Sequence, residues 1–91
     1  MYTLSAKLTF NISYAVSLKD KRQVSRSIIA KVRQKFNVSI AEVDTQNAHR
    51  TLTLGIAIVS CEMSHAQNSL DEVIRFMEDN IDAELTAIER E

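Results

Sequence analysis

Apolar and polar residues alternate strictly at the start of the chain. Every second position from Tyr2 to Ile12 is apolar, and the positions between them hold Thr3, Ser5, Lys7, Thr9 and Asn11. A period of two places successive side chains on opposite faces of a strand. The pattern therefore predicts a first strand that buries one face and leaves the other open.

A helical period follows, from Ser17 to about Phe36. Apolar residues recur every four positions, with one more beside them, at Val24, Ile28, Val32, Phe36 and Ile29. That spacing gathers them into a single stripe along a first helix. Ser17 is predicted to cap the helix N-terminus, and Asp20, three residues later, completes a pair similar to a capping box.

The remainder of the chain predicts two strands, a second helix and a last strand. Their expected ranges are 38–43, 50–61, 64–80 and 81–87, and a polar turn covers residues 44–49. Residues 81–87 alternate as a strand does, although their composition also permits a longer second helix. Gly55 lies in the middle of its strand and marks either a bulge or a close approach of the backbone.

The predicted order β-α-β-β-α-β, with one apolar stripe on each helix, favours an α+β fold. An antiparallel four-stranded sheet with both helices on one face buries these apolar surfaces in a single core. We therefore expect residues 1–91 to form one ferredoxin-like domain, a βαββαβ sandwich with strands 1 and 3 in its centre. The open face would carry the polar residues of strand 1 beside Thr51, Thr53, Gly55, Ala57 and Val59.

Composition narrows the class of protein. Hydrophobic residues make up 45% and charged residues 25% of the 91 residues, as in an ordinary globular domain. No apolar run is long enough for a membrane helix, and the alternating start of the chain does not match a secretory signal. The lone Cys61 cannot form an intramolecular disulfide. These features predict a cytoplasmic protein.

Charge is segregated along the chain, although the formal net charge is only −1. Seven basic residues and one acidic residue lie between Lys19 and Lys35, whereas eight acidic and two basic residues lie between Asp71 and Glu91. At 100° per residue, four of the basic residues fall within an arc of about 60°, away from the apolar stripe. With Lys21 at the same helix start, they form the predicted nucleic-acid-binding set: Lys19, Lys21, Arg22, Arg26 and Arg33.

This basic face has two interpretations. Guanidinium groups in line match the oxygens of successive phosphates, which favours an RNA partner bound without base specificity. Alternatively, the face is merely solvated and is partly neutralised by the acidic second helix. The open sheet face lacks the aromatic residues by which RNA-recognition motifs of the same topology stack bases. Its small and β-branched residues suit the docking of a subunit or partner as well as plain exposure.

Patterns typical of catalysis are missing from the sequence. It contains no C-x-x-C pair, no Gly-rich phosphate loop and no nucleophile elbow. His49 with Glu42 and Asp44, and Cys61 with His65, are residue types that bind metals or transfer protons, but neither group has tight ligand spacing. We interpret them as a solvated turn and a packed thiol, and expect no catalytic residue, metal site or cofactor.

Two segments resemble the YlxP-like family of bacterial proteins, a domain of unknown function. They are residues 17–22, Ser-Leu-Lys-Asp-Lys-Arg, and residues 36–44, Phe-Asn-Val-Ser-Ile-Ala-Glu-Val-Asp. The resemblance covers essentially the whole chain. It implies a ferredoxin-like fold and a gene neighbourhood shared with translation initiation and ribosome-maturation factors, and it carries over no catalytic residue. The chain departs from many relatives near Ala48 and His49, where they have a bulkier, often aromatic, residue.

Two functional hypotheses from different classes follow. In the first, a non-catalytic binding module contacts ribosomal RNA or a ribosomal subunit through the basic face of its first helix. In the second, a protein-interaction or regulatory module forms a homodimer through its open sheet face or an edge strand. Neither hypothesis involves a membrane or a small-molecule cofactor.

Overall fold

Six elements follow one another in the predicted order in the computed structural model, which describes residues 1–91. They are β1 (Tyr2–Asn11), α1 (Leu18–Lys35), β2 (Ser39–Glu42), β3 (Thr51–Ser60), α2 (Met63–Asn80) and β4 (Glu84–Arg90). The last strand begins three residues later than expected. Since α2 ends at Asn80, the alternative of a longer second helix is not adopted.

The four strands form one antiparallel sheet in the order β2-β3-β1-β4, which places β1 and β3 in its centre as predicted. The register pairs Ser5 with Ala57 and Lys7 with Gly55, so the expected open face is formed. Buried residues of both helices join the even-numbered side chains of β1 and β3 in one core of 18 hydrophobic residues. The predicted ferredoxin-like sandwich is confirmed.

A bulge in β4 changes the faces that its side chains occupy. Thr9 pairs with Ala87 and Phe10 pairs with Leu85, so Thr86 is an extra residue between them. Its hydroxyl donates to the Thr9 carbonyl across 3.1 Å. The alternation predicted for residues 81–87 would place Ala87 on the same face as Leu85. The inserted residue reverses the alternation beyond it, so Ala87 lies on the opposite face and this part of the prediction is wrong.

The start of α1 confirms the predicted cap with one difference. The Ser17 hydroxyl accepts a hydrogen bond from the Asp20 N–H at 3.2 Å. The Asp20 carboxylate reaches back to the Val16 N–H at 3.0 Å, one residue before the cap itself. Both contacts provide acceptors for backbone N–H groups at the helix start, where no carbonyl of the helix can accept from them. They therefore define the position at which α1 begins.

Candidate functional site

Lys21 is buried, and its predicted role in contacting nucleic acid is therefore wrong. Its side chain is 0% exposed. The ammonium group donates to the carbonyl oxygens of Thr45 at 2.6 Å and of Gln46 and Thr51, each at 3.3 Å. Its nitrogen also lies 2.8 Å from a carboxylate oxygen of Glu42, with which it forms a buried ion pair. The three protons of the ammonium group are thus shared among three carbonyls and one carboxylate.

The helical spacing contained a signal for this burial. The buried residues of α1 are Lys21, Ser25, Ile28 and Val32. These positions are separated by four, three and four residues, so they share one stripe of the helix. Lys21 therefore lies in line with the core-facing residues, about 100° or more from Lys19, Arg22, Arg26 and Arg33. The predicted stripe was defined by apolar residues alone, so it did not include Lys21, and the burial of this lysine was missed.

The partners of Lys21 lie in the β2–β3 loop (residues 43–50) and at its borders. Within this loop Asp44 has a φ of 63°, and the Thr45 N–H donates to the Val43 carbonyl at 2.7 Å. A hydrogen bond between residues two apart around a positive φ makes a γ-turn, which is a strained conformation for a residue other than glycine. The ionic and backbone contacts of Lys21 hold the loop in this shape.

The same loop folds over one end of the open sheet face. The Thr45 hydroxyl bonds to both the hydroxyl and the N–H of Thr53, each at 3.0 Å, and Thr53 is only 4% exposed. Asp44 pairs with Lys7 at 2.9 Å, and Glu89 of β4 lies 3.5 Å from the same ammonium. The hydrogen bond and charge of Asp44, with the charge of Glu89, raise the pKa of Lys7 above its ordinary value. Thr53 is thus not available for docking, although it lies on the predicted face.

A shallow groove of about 330 Å³ remains on the open face. A row of small side chains crosses three strands along it, because Ser5 pairs with Ala57 and Ala57 pairs with Ser39. Beside this row, a Cβ atom at Gly55 would lie 3.3 Å from a methyl group of Val43. Neither a bulge nor a close approach of a backbone is found at Gly55, so that expectation is wrong; the group that comes close is the side chain of Val43.

The other four basic residues of the predicted set stay on the surface of α1, and we call them the basic track: Lys19, Arg22, Arg26 and Arg33. None of them lies within ion-pairing distance of a carboxylate, since the only ion pair of α1 is that of Lys21. Arg33 donates to the Ile40 carbonyl of β2 at 3.1 Å, so this end of the track lies beside the β2 edge of the sheet. The track therefore carries positive charge that α2 does not neutralise by direct pairing.

The side of α1 that faces α2 is built differently. The rings of Phe36 and Phe76 meet edge to face, with centroids 5.4 Å apart and planes at 75°. The ammonium of Lys35 lies 4.9 Å from the Phe76 centroid and 5.7 Å from that of Phe36. This lysine is held by cation–π contacts with the aromatic pair, whereas the basic track lies on another face of the helix.

The remaining sequence candidates are dispersed. Glu42 faces Lys21 and Asp44 faces Lys7, while His49 is exposed in the β2–β3 loop. Cys61 and His65 are also exposed, so the interpretation of Cys61 as a packed thiol is wrong. No three His, Cys, Asp or Glu side chains are grouped in a way that could hold a metal ion. Neither helix is long and apolar enough to cross a bilayer.

Comparisons with known proteins agree with the fold. The model of a family described as proteins of unknown function (DUF503) matches residues 3–90. The uncharacterised protein YlxP of Bacillus subtilis (strain 168) is 39% identical over 64 residues, which cover 70% of each chain. Among solved structures, a de novo designed protein with a ferredoxin fold matches with a TM-score of 0.63 and 16% identity, over 100% of this chain and 84% of its own. The last likeness concerns the fold alone.

Proposed function

Since the chain belongs to the DUF503 family of proteins of unknown function, we propose from its own surface that it is a non-catalytic module that binds RNA phosphates along the basic track. One observation carries this proposal: the cations of the track are exposed and have no carboxylate partner within the chain. Unpaired guanidinium groups are well suited to phosphate, because their planar donors match two phosphate oxygens at once.

The shape of the track suits an extended polyanion. Lys19 and Arg33 are fourteen residues apart on one helix, a distance of about 21 Å along its axis. All four cations lie in an arc of about 60°, so a strand that runs along the helix can meet them in succession. The gene neighbourhood implied by the family resemblance favours ribosomal RNA as that strand. Phosphate contacts of this kind position a protein on RNA without reading its sequence.

Affinity for a short single-stranded RNA is expected to fall steeply with salt. Four phosphate contacts predict a slope of about −3 in a plot of log K against log salt, which is a loss of roughly 50-fold between 50 and 200 mM. Fluorescence anisotropy of a labelled RNA measures this slope. A slope near zero would mean that phosphates are not the groups bound.

A second candidate function is self-association through the open face. The row of Ser5, Ala57 and Ser39 lets another backbone approach closely, and the charged side chains of the groove, such as Lys7 and Asp44, lie beside this row. The sheet edges are less suitable. Arg33 occupies an edge carbonyl of the four-residue β2, and the bulge at Thr86 interrupts β4. A homodimer would therefore join two open faces.

Light scattering over a range of concentrations tests this second function. A dimer is expected at high concentration, and Ala57→Glu should abolish it by placing a charge in the middle of the contact. Ala30→Glu is the matched control, because Ala30 is exposed on the helix side of the molecule. A protein that remains monomeric at millimolar concentration would rule the dimer out.

A further inference from the structure

A depression of about 270 Å³ lies between α1 and the C-terminal end of α2. It is separate from the groove on the open face and lies beside residues 23–28 of α1. Six residues that line it matter for its chemistry: Tyr14, Gln23, Val24, Ser27, Asn80 and Asp82. Tyr14 is 50% exposed, whereas Val24 is partly buried against the core. The depression thus combines an accessible aromatic ring with an apolar wall.

The other side of the depression is formed by the C-terminal end of α2 and by Asp82, and it carries negative charge. The helix α2 ends at Asn80, and its last turn contains no basic residue. The final carbonyl groups of a helix lack donors within it and carry partial negative charge. The carboxylate of Asp82 adds to this negative charge. Burial is the main cause that raises the pKa of Tyr14, and the charge of Asp82 is the second. The negative charge on this side repels phosphate and attracts groups that carry N–H donors.

The depression adjoins the basic track on the helix surface. Gln23 is four residues after Lys19 and three before Arg26, so its side chain is a surface neighbour of both. A strand whose phosphates lie on Lys19 and Arg26 would pass the mouth of the depression. The cationic track suits the phosphate of a nucleotide, and the depression, with its aromatic ring and carboxylate, suits the base.

We propose that this depression is a nucleobase pocket, in which a base of a single-stranded RNA stacks on Tyr14 while the adjoining phosphates occupy the basic track. The inference rests on the proposed function and adds a base-dependent contribution to it. Stacking on an aromatic side chain tolerates any base. The acceptors of Asp82 and of the α2 C-terminus favour bases with an exocyclic amine, adenine, cytosine or guanine, over uracil.

Two strands with the same number of phosphates provide the test, oligo(A) and a strand that lacks bases. Wild-type protein should bind oligo(A) roughly 5- to 150-fold more tightly than the abasic strand, the range expected for one stacked base. Tyr14→Ser should remove that difference and leave the affinity for the abasic strand unchanged. Tyr14→Phe keeps the ring and should behave as wild type. Oligo(U) should bind less tightly than oligo(A).

Tyrosine fluorescence supplies a direct readout of stacking. The chain has two tyrosines and no tryptophan, so a Tyr2→Phe protein reports on Tyr14 alone. Oligo(A) should quench this signal, and the abasic strand should not. Equal binding of both strands without quenching would overturn the pocket and leave the basic track intact. Failure of both strands to bind would overturn the proposed function and the pocket with it.

Discussion

Replacing Lys21 with Met is expected to lower the free energy of unfolding by about 3–5 kcal/mol. The substitution leaves the carboxylate of Glu42 without its cation, and it leaves two carbonyls of the β2–β3 loop and the Thr51 carbonyl without their donor. Domains of this size are stable by only about 5–15 kcal/mol, so the loss is a large part of the total. Each kcal/mol shifts the midpoint of thermal unfolding by about 4–8 °C, and a fall of more than 10 °C should be seen by circular dichroism.

Lys31→Met is the matched control, because Lys31 is an exposed lysine on the same helix. It should change the free energy of unfolding by no more than about 0.5 kcal/mol. In a double-mutant cycle, Glu42→Gln should cost less in the Lys21→Met protein than in wild type, since the ionic contact is already absent. Equal stability of Lys21→Met and Lys31→Met would show that the buried contacts do not stabilise the loop.

Reversing three charges of the basic track is expected to reduce RNA affinity by more than 100-fold at low salt. The variant carries Arg22→Glu, Arg26→Glu and Arg33→Glu. Each substitution removes a phosphate contact and adds a repulsive charge, so the salt slope should also decrease by about two units or more. Anisotropy with the same short RNA measures both quantities, and binding to purified small ribosomal subunits extends the test to the proposed partner.

A second triple variant with the same change in net charge tests whether the position of the substituted cations matters. Lys31→Glu, Lys35→Glu and Arg75→Glu change the net charge by the same amount but lie outside the track. This second triple variant should lose far less affinity than the first. Unfolding curves of both are needed, because Arg33 also bonds to Ile40 and Lys35 contacts two aromatic rings. If the two variants bind equally, the attraction depends on overall charge and no track exists.

The two predictions concern opposite faces of α1. Lys21 faces the core and holds the β2–β3 loop, whereas the basic track is exposed to solvent. Lys21 thus has a different role from Lys19 and Arg22, although they are only one or two positions away in the sequence. The helix can be read correctly only when each cation is assigned to a face before its charge is interpreted.

Local patterns determined most of the secondary structure of this protein. Alternation defined β1, the four-residue period defined α1, and Ser17 with Asp20 marked where that helix begins. The sheet order followed as well, because a βαββαβ chain with one apolar face per helix has one economical packing. The exposed cations of the basic track were also predictable, since the angle between side chains on a helix depends only on their separation.

Only the tertiary structure decided which polar side chains meet. Lys21 contacts carbonyls 24–30 residues further along the chain, Lys7 pairs with Asp44 at a separation of 37, and Thr86 reaches Thr9 at a separation of 77. The burial of Thr53, the reversed face of Ala87 and the pocket beside Tyr14 depend on such encounters. Periodicity reports the orientation of a residue relative to its neighbours in sequence, whereas ion pairs and loop contacts depend on which distant segments the packed core brings together.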